Sequence, residues 1–430
     1  MSLDELARAS AEALRRSVER ATPDERPLAR ARRRRPASAV AVALLLAVAL
    51  ASASLWVRAN APERPGQLVA PTVPSTTPAP GQRPGSWRRL QNGPSGLWVD
   101  QMVWTGTKAL VFAGADHSQS KVNGALYDPG RDRWQRIRRG PLDWRVDAAV
   151  AWTGQRLLVW GGGRDVPLER AGGAYDPATD AWTPIAAGPL QPGGVMAAAW
   201  TGRELLVWRD AHRGAAYDPQ RDSWRRLSAA FPLPQADRYR PAVVWTGREV
   251  IIWGGCDNRV PQCDDNFQSD ELRDGAAYDP ARDRWRRIAT SPLAARDRPQ
   301  AVWTGREVVV WGGAPPGSTG AYAAAYDPAR ERWRTVPDGP LAPRSNHIMV
   351  WTGREVLVWG GVSTDAGDLY LADGAALDPA TGEWQPLPSA PIPGRDRHVA
   401  VWTGQELLVW GGCCAGGTGL LADGAAFRPS

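Results

Sequence analysis

At 430 residues the chain is long enough for two or three ordinary domains or for one large all-β domain. Its net charge of +7 is unevenly placed: residues 1 to 35 carry +4 and residues 58 to 83 carry +2, leaving about +1 for residues 84 to 430. A nucleic-acid-binding face needs a basic stripe on the folded part, so that function class is excluded.

In chain order, Ser2 followed by Glu5 forms a capping box, and Leu3, Leu6, Ser10, Leu14 and Val18 stand at helical spacing. This predicts a short amphipathic helix within residues 2 to 20, in a cytoplasmic segment of residues 1 to 36. It either docks a cytoplasmic partner or lies solvated or along the membrane surface.

Residues 37 to 57, ASAVAVALLLAVALASASLWV, contain no charge and are long enough to span a bilayer as a helix. Arg32, Arg33, Arg34 and Arg35 precede them, so the positive-inside rule keeps the N-terminus in the cytoplasm and sends the rest out. The expectation is a single-pass protein of the cell membrane with its bulk extracytoplasmic. A cleaved signal peptide, with Ala51, Ser52 and Ala53 as the processing site, is the rival reading. Residues 58 to 84 then carry seven prolines among Thr, Ser and Gln, the composition of an extended linker.

From residue 85 the chain is repetitive. The triplet Trp-Thr-Gly recurs with its Trp at 104, 152, 200, 245, 303, 351 and 402, a period near 50. Each repeat reads as an apolar run, the triplet, a second apolar run, a variable loop, a segment such as GAAYDP, and a Trp a few residues on. Thr-Gly predicts a tight hairpin between the first two strands, and Asp-Pro, as at Asp279 and Pro280, predicts a type I turn between the third and fourth.

Tyr and Trp stand seven apart across that turn in the pairs Tyr127/Trp134, Tyr175/Trp182, Tyr217/Trp224, Tyr278/Trp285 and Tyr326/Trp333, with Leu377/Trp384 as a variant. Glycine pairs stand at 161/162, 254/255, 312/313, 360/361 and 411/412. On these residues, segment 85–430 resembles the kelch repeat, as in the central domain of galactose oxidase, and its membrane-anchored layout resembles bacterial transmembrane regulators. The resemblance implies a seven-bladed, all-β propeller of four-stranded antiparallel blades, with each first strand lining a central channel. The seventh repeat ends without its Trp-bearing strand, and Gly85–Leu90 carries a spare one at Trp87. The N-terminal strand is therefore expected to complete the last blade and remove the open sheet edges.

Long variable loops are expected on one face, where the second strand leads to the third and one repeat leads to the next, and binding residues concentrate in such loops. On that face Trp98 and Trp144, with Tyr239 at the same offset as Trp98, form either an aromatic platform for a sugar or peptide or caps on the interfaces between blades. Seven residues before the triplet Trp stand Arg145, Arg238, Arg296, Arg344 and Arg395. Five before it stand Arg240, Arg298 and Arg397. Arg here is common in kelch repeats: it either ties the blades, with Asp274, Asp373 and Asp423 as candidate partners, or captures a carboxylate through its bidentate fork.

Cys256 and Cys263 are expected to form a disulfide, whereas adjacent Cys413 and Cys414 fit a vicinal disulfide or two thiols. No metal site is expected, because no His stands near the cysteines, and no cofactor is expected.

Two functions follow. One is an extracytoplasmic binding or sensing module for a protein or carbohydrate ligand. The other is a sugar-modifying enzyme similar to the sialic-acid mutarotases among kelch-type propellers, with His347 and His398 as candidate acid–base groups; neither a P-loop nor a G-x-S-x-G motif occurs.

Overall fold

A computed structural model describes residues 83–116, 123–142, 145, 147–162, 171–234, 238–257, 271–313, 322–363, 369–413 and 419–430. The expected cytoplasmic helix, the span at 37–57, the linker up to Gln82, Trp144, Cys263 and Cys414 lie outside these residues. Among the described residues there is no helix, and hence none long and apolar enough to cross a membrane.

The fold is β-propeller-like, a repetition of four-stranded antiparallel sheets. The fourth sheet is representative: Ala242–Trp245, Val250–Trp253, Gly275–Asp279 and Arg284–Arg287 pair in sequence order. Equivalent sheets begin at Leu97, Ala149, Ala197, Gln300, Ile348 and Val399. We number the sheets one to seven from Leu97. The first strand of each sheet lies against the first strand of the next, and that of the seventh lies against that of the first.

Local chemistry sets each turn. In the third sheet the Thr201 hydroxyl accepts the Glu204 N–H at 2.9 Å and donates to the Glu204 carbonyl at 3.1 Å, while Gly202 takes a φ of +89°. In the fourth, Asp279 Oδ1 accepts the N–H groups of Ala281 (2.9 Å) and Arg282 (3.1 Å), and Asp283 follows at a φ of +51°. That is a type I turn followed by a left-handed residue, the turn expected of Asp-Pro.

The second strand is apolar throughout because both of its faces are covered. Val250 and Ile252 pack with Leu206 and Trp208 of the sheet before, whereas Ile251 and Trp253 pack with Val308 and Val310 of the sheet after. Trp160, Trp208, Trp253, Trp311, Trp359 and Trp410 are all fully buried in this way.

Polar bonds join neighbouring sheets. Every fourth-strand Trp donates its indole N–H to a carbonyl in the segment leaving the preceding sheet, at 2.8 to 3.1 Å. The Tyr hydroxyl opposite it donates to an Asp two residues before that Trp: Tyr127 to Asp132 (2.6 Å), Tyr175 to Asp180 (2.8 Å), Tyr217 to Asp222 (2.7 Å) and Tyr278 to Asp283 (2.5 Å). The same Asp oxygen accepts an N–H from the preceding sheet's exit, that of Ala186 at 2.8 Å in the case of Asp222.

The diglycines are a second seam. Gly312 and Gly313 have φ of +76° and +68°. A Cβ on Gly312 would strike the His347 ring of the next sheet, and one on Gly313 would strike the Asp297 carbonyl of its own sheet. The Gly313 N–H donates to the Arg344 carbonyl of the next sheet at 2.9 Å, as Gly255 does to Arg296 and Gly361 to Arg395. Sheets one and three lack the motif. In the third, the strand instead runs on through a bulge to Asp210, which turns directly into Arg213–Asp218.

Gly85–Arg89 pairs with Gly424–Pro429, Trp87 opposite Phe427, so that the seventh sheet is made from both ends of the repeat region. The Trp87 indole donates to the Pro388 carbonyl at 2.9 Å and its ring lies 5.1 Å from that of Phe427.

Candidate functional site

The segments leading into the first strands converge above a cavity of about 320 Å³ lined by residues in or just before the first strands of the first five sheets, among them Gln101, Ala198, Pro241, Ala242, Pro299 and Gln300. The positions seven, six, five and four residues before the triplet Trp form successive tiers of this mouth. Each tier has its own role.

The seventh-before tier is structural. Arg145, Arg238, Arg296, Arg344 and Arg395 are at most 2% exposed. Each donates from Nη1 to the carbonyl of a glycine sixteen residues on: Gly161 (2.7 Å), Gly254 (3.2 Å), Gly312 (3.2 Å), Gly360 (3.2 Å) and Gly411 (3.1 Å). Arg238, Arg344 and Arg395 also meet the carboxylates of Asp274, Asp373 and Asp423 at 2.5, 2.7 and 2.9 Å. Of the two roles open to these five guanidiniums, the contacts seen are those of a structural tie, with Asp274, Asp373 and Asp423 as partners of three of them. They are consumed in closing their own sheet's loop, where the left-handed glycine turns its carbonyl inward.

The fifth-before tier differs. Arg240, Arg298 and Arg397 hold φ of +49°, +54° and +52°, as Asp147 and Asn346 do at the same place in the second and sixth sheets. A left-handed non-glycine residue costs roughly 1–2 kcal/mol, and here it turns five different side chains out of the strand at one level. Burial and the neighbouring charges of Arg240 and Arg397 hold the Arg298 guanidinium below the usual range. Three cations from sheets four, five and seven therefore share one field. Asp297 and Asp396, both buried, lie beside them: Arg298 Nε is 3.2 Å from Asp297 Oδ2, and Asn346 Nδ2 donates to Asp396 Oδ2 at 3.3 Å. Burial raises both carboxyls, against the pull of the Arg neighbours. Glu271, whose backbone bridges to Cys256, is pushed up to about 7 by burial and by Asp297.

Aromatic rings complete the mouth. Trp98 is 38% exposed with the Arg397 guanidinium 5.5 Å from its ring, and the Arg240 guanidinium stands 4.5 Å from the Tyr239 ring. These are cation–π distances. Trp98, of the first sheet, thus meets Arg397 of the seventh while keeping an open face.

His347 and His398 occupy the fourth-before tier and are not at the surface. They are 3% and 6% exposed and stand edge-on to Trp311 and Trp359, with ring centroids 4.8 and 5.2 Å apart. Burial and the nearby Arg344 hold His347 well below its ordinary range, and burial with Arg395 holds His398 down to about 3. Pro241 and Pro299 fill the same position in other repeats, under the diglycines. Cys256 and Cys413 are each disulfide-bonded. No group of three metal-ligating side chains occurs among the described residues.

The sequence reading missed the Asp of the Tyr–Asp–Trp seam and the left-handed tier. A signal for the first was present: Asp stands two before the fourth-strand Trp in repeats one to four. For the second there was none, because Asp147, Arg240 and Asn346 share a backbone conformation and not a chemistry. No protein-family model matches the chain, and none of the curated proteins matches it.

Proposed function

We propose that residues 85–430 are a closed seven-bladed propeller of the kelch type, anchored by residues 37–57 and carried outside the cytoplasm. It acts as a binding or sensing module for a protein or glycan ligand that presents a carboxylate. The observation that carries this reading is the convergence of Arg240, Arg298 and Arg397 on left-handed backbone, with the Trp98 and Tyr239 rings beside them. Closure is supported by the first strands, which neighbour one another in sequence order and return from seventh to first. Arg offers a planar fork suited to carboxylates, and an aromatic face suits a sugar ring or peptide plane. The enzyme reading finds no support: its two His are buried, and their depressed basicity leaves them neutral and only weakly basic at neutral pH.

The test is thermal unfolding of the full-length chain against acidic sugars, neutral glycans and acidic peptides. A ligand at a hundred times its Kd stabilises by about 2.7 kcal/mol. The expected result is a rise in Tm with an acidic ligand that disappears in Arg397→Ala. A panel without any shift, or a shift untouched by Arg397→Ala and Arg298→Ala alike, sinks the proposal.

A further inference from the structure

The opposite face, built from the short turns, repeats a charge pair whose absence at one place opens a second site. In sheets three, four, five and seven a Glu just after the Trp-Thr-Gly turn is bound by the Arg that follows the fourth-strand Trp. The pairs are Glu204–Arg225 (2.8 Å), Glu249–Arg286 (2.7 Å), Glu307–Arg334 (2.6 Å) and Glu406–Arg88 (2.9 Å). In the sixth sheet Gln385 takes the Arg position, and Arg83 comes from outside the repeat to hold Glu355 at 2.9 Å. Several of these Arg reach on to the Tyr hydroxyl of the next sheet: Arg88 to Tyr127 at 3.2 Å and Arg286 to Tyr326 at 3.3 Å. The usual filling of this interface is thus a carboxylate, a guanidinium and a phenol.

The second sheet breaks the pattern. Arg156 stands in the Glu position and Thr183 in the Arg position. The guanidinium is kept, on the other strand, and its charge acts on the Tyr217 hydroxyl of the third sheet, but the carboxylate is gone. Where the pair would be, a cavity of about 630 Å³ lies between sheets two and three, lined by Arg156, Thr183, Trp200, Arg203, Tyr217 and Gln220 among others. That volume is within the range of small-molecule sites. Among the described residues no ion pair engages Arg156, whereas Arg203 has only a loose one, 3.7 Å from Asp218. Asp222 also borders the cavity, but its Oδ1 already accepts from the Tyr217 hydroxyl (2.7 Å) and the Ala186 N–H (2.8 Å). The first sheet, with Lys108 and Gln135 in the two places, lacks the pair too, yet keeps no guanidinium in the gap.

We infer that the cleft between sheets two and three is a binding site for a sugar acid, whose carboxylate takes the place that Glu occupies in the other sheets. Arg156 receives the carboxylate, and Arg203 adds a second positive charge. The Trp200 ring, the Thr183 hydroxyl and the Gln220 amide give a polyhydroxylated ring a face and hydrogen-bonding partners. This site is separate from the channel mouth and does not depend on the function proposed for it.

Equilibrium dialysis of the full-length chain with radiolabelled glucuronate, and with glucose as the neutral analogue, tests this. Wild type is expected to bind glucuronate and not glucose, and Arg156→Gln to bind it at least about tenfold more weakly, the loss expected for one charge-assisted contact. The double variant Arg156→Glu with Thr183→Arg rebuilds the pair of the other sheets. It is expected to unfold no lower than wild type and to lose this binding equivalent, while Arg397→Ala keeps it. Any of three results overturns the inference: no glucuronate bound by wild type, equal binding of glucose, or an unchanged equivalent in the double variant. Capture of a polyglutamate peptide with no uptake of glucuronate overturns the assignment to a small sugar acid.

Discussion

The two buried histidines make stability fall with acidity. Burial and Arg395 hold His398 down to about 3 in the folded chain, against about 6.5 when unfolded. The fold therefore favours the neutral ring, and the unfolded chain takes up the extra proton as pH falls through 6.5. The stability this contributes is complete above that value and is lost progressively toward pH 3. Between pH 7 and pH 5 the loss from His398 alone comes to about 2 kcal/mol, a large part of an ordinary folding free energy. His347, also pushed down, acts in the same direction. Glu271, raised to about 7, and Asp297 and Asp396, also raised, act the other way, because the folded state holds their protons more tightly. The comparison that isolates the histidine is therefore His398→Met against wild type, since Met196 already stands four residues before the triplet Trp in the third repeat. Urea unfolding of the full-length chain, followed by Trp fluorescence at pH 7 and pH 5, should show a drop smaller by about 2 kcal/mol in the variant. Equal drops in the two proteins would refute the placement of His398 as a neutral, desolvated ring.

Three further outcomes are expected. Gly312→Ala should destabilise by more than about 2 kcal/mol in thermal unfolding, because strain at positive φ is joined by collision with the His347 ring, whereas Gly106→Ala, with open space around its Cβ, should cost only about 1 kcal/mol. Trp87→Ala should cost about 3 kcal/mol by the same assay and raise susceptibility to aggregation, since it removes the indole bond to Pro388 and loosens the strand that covers the edge of the seventh sheet. A double-mutant cycle on Arg83→Ala and Glu355→Ala should return a coupling of about 1–2 kcal/mol, larger than for a surface pair because both side chains are only 12% exposed.

How much of this was legible follows from how far each signal travels along the chain. The Thr-Gly and Asp-Pro turns close within four residues, so Thr201–Glu204 and Asp279–Arg282 announce themselves locally, and an apolar run such as Val250–Trp253 announces a strand covered on both faces. Counting those signals was enough to pair Gly85–Arg89 with the far end of the chain. The role of an individual polar residue was a different matter. Arg296 and Arg298 are two apart and chemically identical, yet one is sealed against the Gly312 carbonyl and the other turns into the mouth, because only the second sits at positive φ. Nothing in composition separates them. Arg83 likewise reads as part of a proline-rich linker until its partner 272 residues away is known. Trp144, one of the expected aromatic residues, and Cys263, the expected partner of Cys256, lie outside the described residues.

In a fold made of near-identical sheets, the residues that hold neighbouring sheets together are necessarily the ones that recur, since each interface poses the same problem of buried indoles, phenols and backbone ends. Most of the polar groups that recur are therefore spoken for: the fourth-strand Trp indoles, the Asp of the Tyr seam, the inner Arg and the Glu–Arg pairs bond within or between sheets. Capacity to bind something else is left where a repeat departs from the others while keeping a charge. That happens at two places of opposite character. At the mouth, one backbone conformation presents Asp147, Arg240, Arg298, Asn346 and Arg397 in turn, so that the side chain is free to vary while its direction is fixed. On the turn face, Arg156 keeps a guanidinium where its carboxylate partner has been removed and a cavity remains. Both proposed sites lie at breaks in the repetition and not at the motifs that define it.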